Sequence, residues 1–354
     1  MKILVSALEH SANVHLKSLK NELDKDVEFV GIFSNELGDS IVDLRSLAIM
    51  GFVDAIKKLR FFFKLNSQMA DLAKDVDKVL LIDSSGFNLP LAKKIKKRYP
   101  DKEIIYYILP QAWAWKKKRI KVLEKTIDKL ASILPFEKDY YSKTAPITYV
   151  GHPLLDQIKT FKNTLEPEVK KIVFMPGSRQ GEITKLMPIF HQLIKRLDQE
   201  ITVVIPSYFT DEQIAKLYGD LSHINISNDP HKSLYDADFA FICSGTATLE
   251  ASLIGTPFIL TYIANSLDYI IASNLVKLNY IGIANLMFER GFNKEFHPEF
   301  IQDDVTVQNL HDAFLNFDRE NYLQNSKQLR KYLQHGSSKN VAKLICFNET
   351  DNSF

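Results

Sequence analysis

At 354 residues, with 45% apolar and 25% charged side chains, the chain has the makeup of a soluble globular protein too long for one core, so two domains are expected. No run of about 18 apolar residues is present to span a bilayer. The opening MKILVSALEHSANVHL lacks the apolar core and cleavage site of a secretory signal, and two cysteines, Cys243 and Cys346, make neither a disulfide framework nor a zinc site, which fits a reducing cytoplasm. The net charge of +2 is unevenly spread. Residues 1–150 hold 26 Lys and Arg against 19 Asp and Glu, and the remainder holds 19 against 24. The first half is thus biased towards anionic surfaces or substrates, although from charge alone a solvated basic face is the better account.

Short apolar runs at 3–7, 27–33, 79–83, 104–109, 130–134 and 147–150 predict strands, and segments such as 14–23 and 89–98 carry helical periodicity between them. Strands alternating with helices imply a parallel, doubly wound sheet. Residues 50–65, MGFVDAIKKLRFFFKL, set Phe52, Ile56, Leu59, Phe62 and Phe63 among Lys57, Lys58, Arg60 and Lys64. Such a basic amphipathic helix suits a membrane interface, and equally a sheet-packing helix with a solvated basic side. The polar stretch 159–170 reads as a linker. A second alternating series follows, with strands at 172–175 and 201–205 and a helix face through Ile183, Leu186, Met187, Phe190, Leu193, Ile194 and Leu197. The expected architecture is α/β: two Rossmann-like doubly wound domains, 1–158 and 171–321, facing across a cleft. A polar helical segment, 322–354, packs back on the first.

The stretch 239–262, FAFICSGTATLEASLIGTPFILTY, reads as strand, glycine turn, short helix and strand, the helix stopped by Gly255 and Pro257. That order puts unpaired N–H groups of a helix N-terminus at the carboxyl edge of a sheet, where phosphates bind. Glu250, one turn in, leans back towards a hydroxylated group beside the phosphate. A plain sheet-packing turn is the competing reading. Upstream, IVFMPGSRQGEI ends a strand at Met175 and follows it with Gly177, Ser178 and Arg179: close backbone approach, a hydroxyl and a planar fork of donors suited to a departing pyrophosphate. The competing role for Arg179 is to close an interdomain cleft.

Taken together, these motifs resemble lipid-A-disaccharide synthases. PGSRQGEI, SGTATLE and YIGIANL look like the sugar-nucleotide half of that family, and LIDSSGFNLPLAKKIKK, YYILPQAWAWKKKRI, LPFEKDYY and YVGHPLLD match its first half in order, to about Gln302. The resemblance implies a GT-B fold and an inverting, metal-independent glycosyl transfer without cofactor. The donor would be UDP-2,3-diacylglucosamine, the acceptor 2,3-diacylglucosamine 1-phosphate (lipid X), and the products a lipid A disaccharide 1-phosphate and UDP. It also implies peripheral attachment to the anionic cytoplasmic face of the inner membrane of Gram-negative bacteria, no nucleic-acid partner, and a homodimer by C-terminal exchange.

On that resemblance Arg179 steadies the pyrophosphate with the turn at Gly245, Thr246 and Ala247; Ser244, Thr246 and Thr248 supply hydroxyls; and Glu250 holds the ribose. Asn285, with Tyr280, Ile281 and Gly282, surrounds the uracil or sugar. No DxD-type metal spacing lies in a suitable loop, so no metal ligands are expected. For the acceptor hydroxyl, Asp83 at a strand end is the leading base, with helix capping as its alternative role. The family's usual second acid is Gly86 here. Its Gly-Glu-x-Ser-Gly-Asp loop survives only in Glu9 and Ser11, with Ala12 and Asn13 departing; Glu9 is the second acid, and His10 and His15 are weaker candidates. Gln111, Trp113 and Trp115, beside Lys116 to Arg119, belong on the acceptor side or pack beneath the sheet edge, and His152 lines the cleft or orients the hinge. A muropeptide glycosyltransferase, a UDP-N-acetylglucosamine epimerase and a non-catalytic sugar-nucleotide or lipid binder are the alternatives.

Overall fold

The computed structural model describes residues 1–42, 55–115, 117–264 and 280–347, with the side chains of 55–59, 114 and 115 outside the description. Chain contacts divide it into two compact units, 1–156 with 333–354, and 157–332.

The first unit is built on six parallel strands, β1 (Lys2–Ser6), β2 (Glu28–Ile32), β3 (Lys78–Ile82), β4 (Glu103–Tyr107), β5 (Lys129–Ser132) and β6 (Ile147–Tyr149). Their order is β2-β1-β3-β4-β5-β6. Side chains alternate across a strand, so each strand feeds two cores. Ile3, Val5, Leu80, Ile82 and Tyr107 pack on one face with Leu16 and Leu19 of helix His10–Lys20. Leu4, Val79, Leu81 and Tyr106 pack on the other with Met69, Leu91, Ile95 and Leu123. All are buried, which is why these strands read as unbroken apolar runs.

The second unit has strands β7 (Lys171–Met175), β8 (Glu200–Val204), β9 (Asn225–Ser227), β10 (Phe239–Cys243), β11 (Phe258–Tyr262) and β12 (Glu299–Ile301), all parallel, in the order β12-β11-β10-β7-β8-β9. This is the six-strand order of dinucleotide-binding folds, in which β7 and β10 flank the switch point. Phe174 stacks on Phe241 at 4.9 Å between centroids, and the expected helix face, Ile183 to Leu193, is buried against them. β9 and β12 were not expected. Each is a three-residue edge strand without an apolar run, and Ile226 of β9 is exposed.

The expected 322–354 segment is divided. Helix Arg319–Leu333 stays with the second unit, as does the 159–170 stretch. After left-handed residues at Gln334 and Gly336, helix Ser337–Cys346 packs on helix His10–Lys20, burying Val341, Ala342 and Ile345 in the first core. Lys78 Nζ donates to Ile345 O at 2.6 Å and Lys129 Nζ to Leu344 O at 2.8 Å, two cations at the negative end of that helix. Tyr107 Oη and Ser337 Oγ share a hydrogen bond of 2.8 Å at its start.

The β1–β2 pairing depends on Gly31, whose φ is +128°. A Cβ there would lie 2.2 Å from the Val5 carbonyl oxygen, a backbone atom that cannot swing aside. Gly31→Ala should therefore destabilise the first unit by about 3 kcal/mol or more, read as a lower denaturant midpoint.

Candidate functional site

Parallel strands end at one edge, so the loops after β7, β8, β9 and β10 gather there. They enclose a cavity of about 600 Å³ at the β7/β10 switch point. Gly177, Ser178 and Arg179 form one wall, and Ser244, Gly245, Thr246, Ala247 and Glu250 another. Gly177 has φ +103°, and a Cβ on it would meet Glu182 Oε2 at 2.5 Å, so only glycine fits. Glu182 accepts from Arg179 N at 3.3 Å and from Arg179 Nη1 at 3.0 Å, which aims a guanidinium that is 82% exposed. Helix Thr246–Ile254 begins without a side-chain cap and without an acid in its first turn, leaving its N–H groups and positive end open. Cys243 closes the floor; burial pushes its thiol up to about 12, so it is inert packing. Glu250 is held by His231, Nδ1 to Oε1 at 3.0 Å.

Three expected donor-side groups lie elsewhere. Thr248 is fully buried and spends its hydroxyl on Gly245 O at 2.7 Å, a local cap. Asn285 is also fully buried: its amide nitrogen donates to His297 O (2.8 Å) and Glu299 Oε1 (2.7 Å), and its oxygen accepts from the backbone of Phe296 (2.7 Å) and His297 (3.0 Å). It is saturated by its own chain. The N–H groups of Ile281 and Gly282 are likewise taken by the Glu299 carboxylate, at 2.8 and 3.0 Å, and neither these residues nor Tyr280 line the cavity. In their place stand residues sequence reasoning missed: Ser207, Tyr208, Asn228 and Pro230. The missed signal was position, since each follows a strand at its carboxyl end. Tyr208 hydroxyl donates to Ser178 O across the mouth.

In the first unit the switch point falls between β1 and β3, and Glu9 and Asp83 follow those strands. Asp83 and Ser84 both have left-handed backbones, φ +51° and +44°, a costly pair for residues with side chains. Buried donors enforce it: Tyr106 Oη and Asn88 Nδ2 both donate to Asp83 O, at 2.7 and 2.8 Å, and Ser6 Oγ donates to Asn88 Oδ1 at 2.6 Å. The Asp83 carboxylate accepts from Ser84 N at 2.7 Å, and Ser84 Oγ donates to Glu9 Oε1 at 3.0 Å, so the structure brings the two acids together. Burial, and then the Glu9 charge, raise the Asp83 pKa.

Ser11 and Gln111 are exposed. Asn13 is buried, donating to Ala7 O and Glu9 O (both 2.8 Å) and accepting from Ser34 N (2.7 Å); it shapes the loop and faces no ligand. His15 is not a surface base: burial lowers its pKa to about 4, and His152, buried nearby, falls to about 3. Trp113 is buried, edge-on to Phe136 at 5.0 Å and tilted on Tyr140 at 5.9 Å, while the Trp115 side chain lies outside the described residues. Beneath Trp113 sits Glu137, also buried.

Two doubly wound parallel sheets, one with a cavity at its switch point, define a GT-B fold. Solved structures agree: Acinetobacter baumannii MurG superposes with a TM-score of 0.59 over 97% of this chain and 98% of its own, at 14% identity. A Neisseria meningitidis UDP-GlcNAc 2-epimerase bound to UDP-GlcNAc gives 0.58 over 98% of each, at 12% identity; both likenesses concern fold. A sequence model described as lipid-A-disaccharide synthetase matches residues 3–351. Proteins called lipid-A-disaccharide synthase from Helicobacter pylori J99 and Campylobacter jejuni RM1221 are 49% and 42% identical, over 98% and 97% of this chain and 98% of each of theirs. The chain belongs to the lipid-A-disaccharide synthase family, a family of glycosyltransferases.

The Glu137 site has its own test. Ser132 Oγ lies within bonding distance of both Leu134 O and Glu137 Oε2 and has one proton to donate between them, a bond that favours the carboxylate. Burial outweighs it and raises the Glu137 pKa from 4.5 to about 7. Between those values the folded chain keeps a proton that the unfolded chain has lost. Stability should fall as pH rises from about 4.5 to about 7 and level off above. Glu137→Gln, which resembles the neutral acid, should remove that slope from urea midpoints measured against pH.

Proposed function

We propose that the chain transfers 2,3-diacylglucosamine from UDP-2,3-diacylglucosamine to the primary hydroxyl of 2,3-diacylglucosamine 1-phosphate. Inversion at the sugar carbon gives the β-linked disaccharide 1-phosphate and UDP. The observation that carries this reading is the β7/β10 cavity: an exposed arginine, an uncapped helix N-terminus and a carboxylate one turn further on, in the sequence of a pyrophosphate followed by a ribose. With the ribose hydroxyls on Glu250, the base falls beside Asn228 and Pro230, not beside Asn285. Arg179 exchanges its bond to Glu182 for the pyrophosphate and, with the Gly245–Thr246 N–H groups, takes up the charge of the departing UDP in place of a divalent ion. Asp83 draws the proton from the acceptor hydroxyl, its pKa raised for that transfer by burial and then by Glu9, tied to it through Ser84.

Disaccharide formation from defined acylated substrates, with chelator present, tests this. The wild-type rate should be indifferent to EDTA. Arg179→Ala should lower kcat/KM by about 10²- to 10³-fold and Asp83→Asn by about 10²- to 10⁴-fold. Because the Asp83 carboxyl titrates above its ordinary range, activity should climb with pH along a limb that Asp83→Asn abolishes. Loss of activity in EDTA, or turnover of unacylated donor alone, would favour another enzyme of this fold.

The same reading places the protein at the cytoplasmic face of the inner membrane. Among the described residues no helix is long and apolar enough to cross a bilayer. Helix Ala55–Leu72 turns Leu65, Met69 and Ala70 into the core and leaves Phe63, 63% exposed, between exposed Arg60 and Lys64. Residues 50–54 of the expected amphipathic segment lie outside the described residues. Phe62 packs against Phe87 at 6.1 Å, so Phe63 is the ring offered to lipid. Binding to anionic vesicles should weaken with salt and fall further in Phe63→Asp, whereas a purely structural helix would be indifferent to lipid charge in a sedimentation assay.

A further inference from the structure

The first unit contains another hollow, of about 380 Å³. Ser85, Gly86, Leu89 and Lys93 of helix Ser85–Arg98 line one side, and Arg119 and Val122 of helix Lys118–Thr126 the other. Arg119 is half-buried, and its described partner is neutral: Nη1 donates to Ser85 Oγ at 2.9 Å, with no ion pair to a carboxylate among the described residues. A partly desolvated guanidinium without an acid calls for an anion. The Asp83 carboxylate takes Ser84 N, just before helix Ser85–Arg98, and leaves the helix's own first N–H groups without a side-chain cap. Ser84, its N-cap, makes no capping bond because its hydroxyl is turned to Glu9, and the first turn has no acid. Free N–H groups, a helix's positive end, Arg119 and Lys93 thus converge on one hollow whose remaining wall, Leu89, Pro90 and Val122, is apolar.

That combination fits an anion borne on an apolar body. We propose that this hollow binds the phosphomonoester of the acyl-sugar acceptor, with Arg119 forking two phosphate oxygens, Lys93 adding charge at the rim and the first methylenes of an acyl chain lying on Leu89 and Val122. The assignment rests on the transferase reading above and adds the feature that distinguishes the acceptor: a phosphate of nearly two charges held by one ester bond. Asp83 stands two residues before Ser85, so the hollow and the proposed base flank the same helix start.

Calorimetric titration of the full-length protein tests it, with 2,3-diacylglucosamine 1-phosphate and its unphosphorylated counterpart as probes. Wild type should prefer the phosphorylated sugar by roughly 10- to 100-fold. Arg119→Ala should lose nearly all of that preference. So should Gly86→Leu, since a Cβ at Gly86 meets nothing within 4 Å and the added side chain fills the hollow without straining the backbone. A urea unfolding curve unchanged from wild type certifies the fold of the first unit in both variants, and undiminished UDP binding that of the second. Preference retained in both overturns the proposal. An equal loss of binding to phosphatidylglycerol vesicles also overturns it, by assigning Arg119 to membrane headgroups. Wild type that shows the preference yet forms no disaccharide overturns the transferase reading and leaves the phosphate site standing.

Discussion

In a parallel sheet every strand ends at the same edge, and the helices that follow must turn to one face or the other. Where neighbouring strands send their helices to opposite faces, no connection covers the gap between them, and backbone polar groups stay open to a ligand. Both units obey this constraint. The β1/β3 reversal gathers Glu9, Asp83 and Ser84, and the β7/β10 reversal gathers Gly177, Arg179, Gly245 and Glu250. The buried apolar strands hold the sheets together, and the polar groups described lie in the loops that border those gaps.

The two gaps are finished differently. At β7/β10 the backbone needs one special residue, Gly177, and Arg179 stands 82% exposed, as the proposed entry and release of a nucleotide requires. At β1/β3 two side-chain-bearing residues sit in left-handed conformations at about 1–3 kcal/mol each. Ser6, Asn88 and Tyr106, all buried, hold them there. Strain maintained by a buried polar network fixes the direction of the Asp83 carboxylate, which is what the proposed proton transfer from a single hydroxyl demands.

Much of this was readable in the chain. Central strands are buried on both faces, so Phe239–Cys243 and Phe258–Tyr262 announce themselves as apolar runs and appear with those bounds. The edge strands Asn225–Ser227 and Glu299–Ile301 have no second neighbour to bury them and carry no such signal. Glycine in the Gly177–Arg179 loop marks a close approach by residue type alone, and Gly177 has the positive φ that only glycine takes easily. Asn285 and Asn13 mislead for a related reason: an amide that secures a loop and one that grips a ligand are the same residue type, and only hydrogen-bond saturation separates them. Asn228 and Tyr208 were invisible because they owe their position to strand order, which no local pattern encodes.

The return of Ser337–Cys346 to the first unit has a consequence for biogenesis. Val341, Ala342 and Ile345 complete a core whose other members lie in residues 3–150, so that core is unfinished while the intervening 157–332 unit is made. On the ribosome the second unit has all its residues before the first does. A nascent chain thus holds an open apolar face beside helix His10–Lys20 until residues 337–346 emerge, and that face is where chaperones and premature association would act.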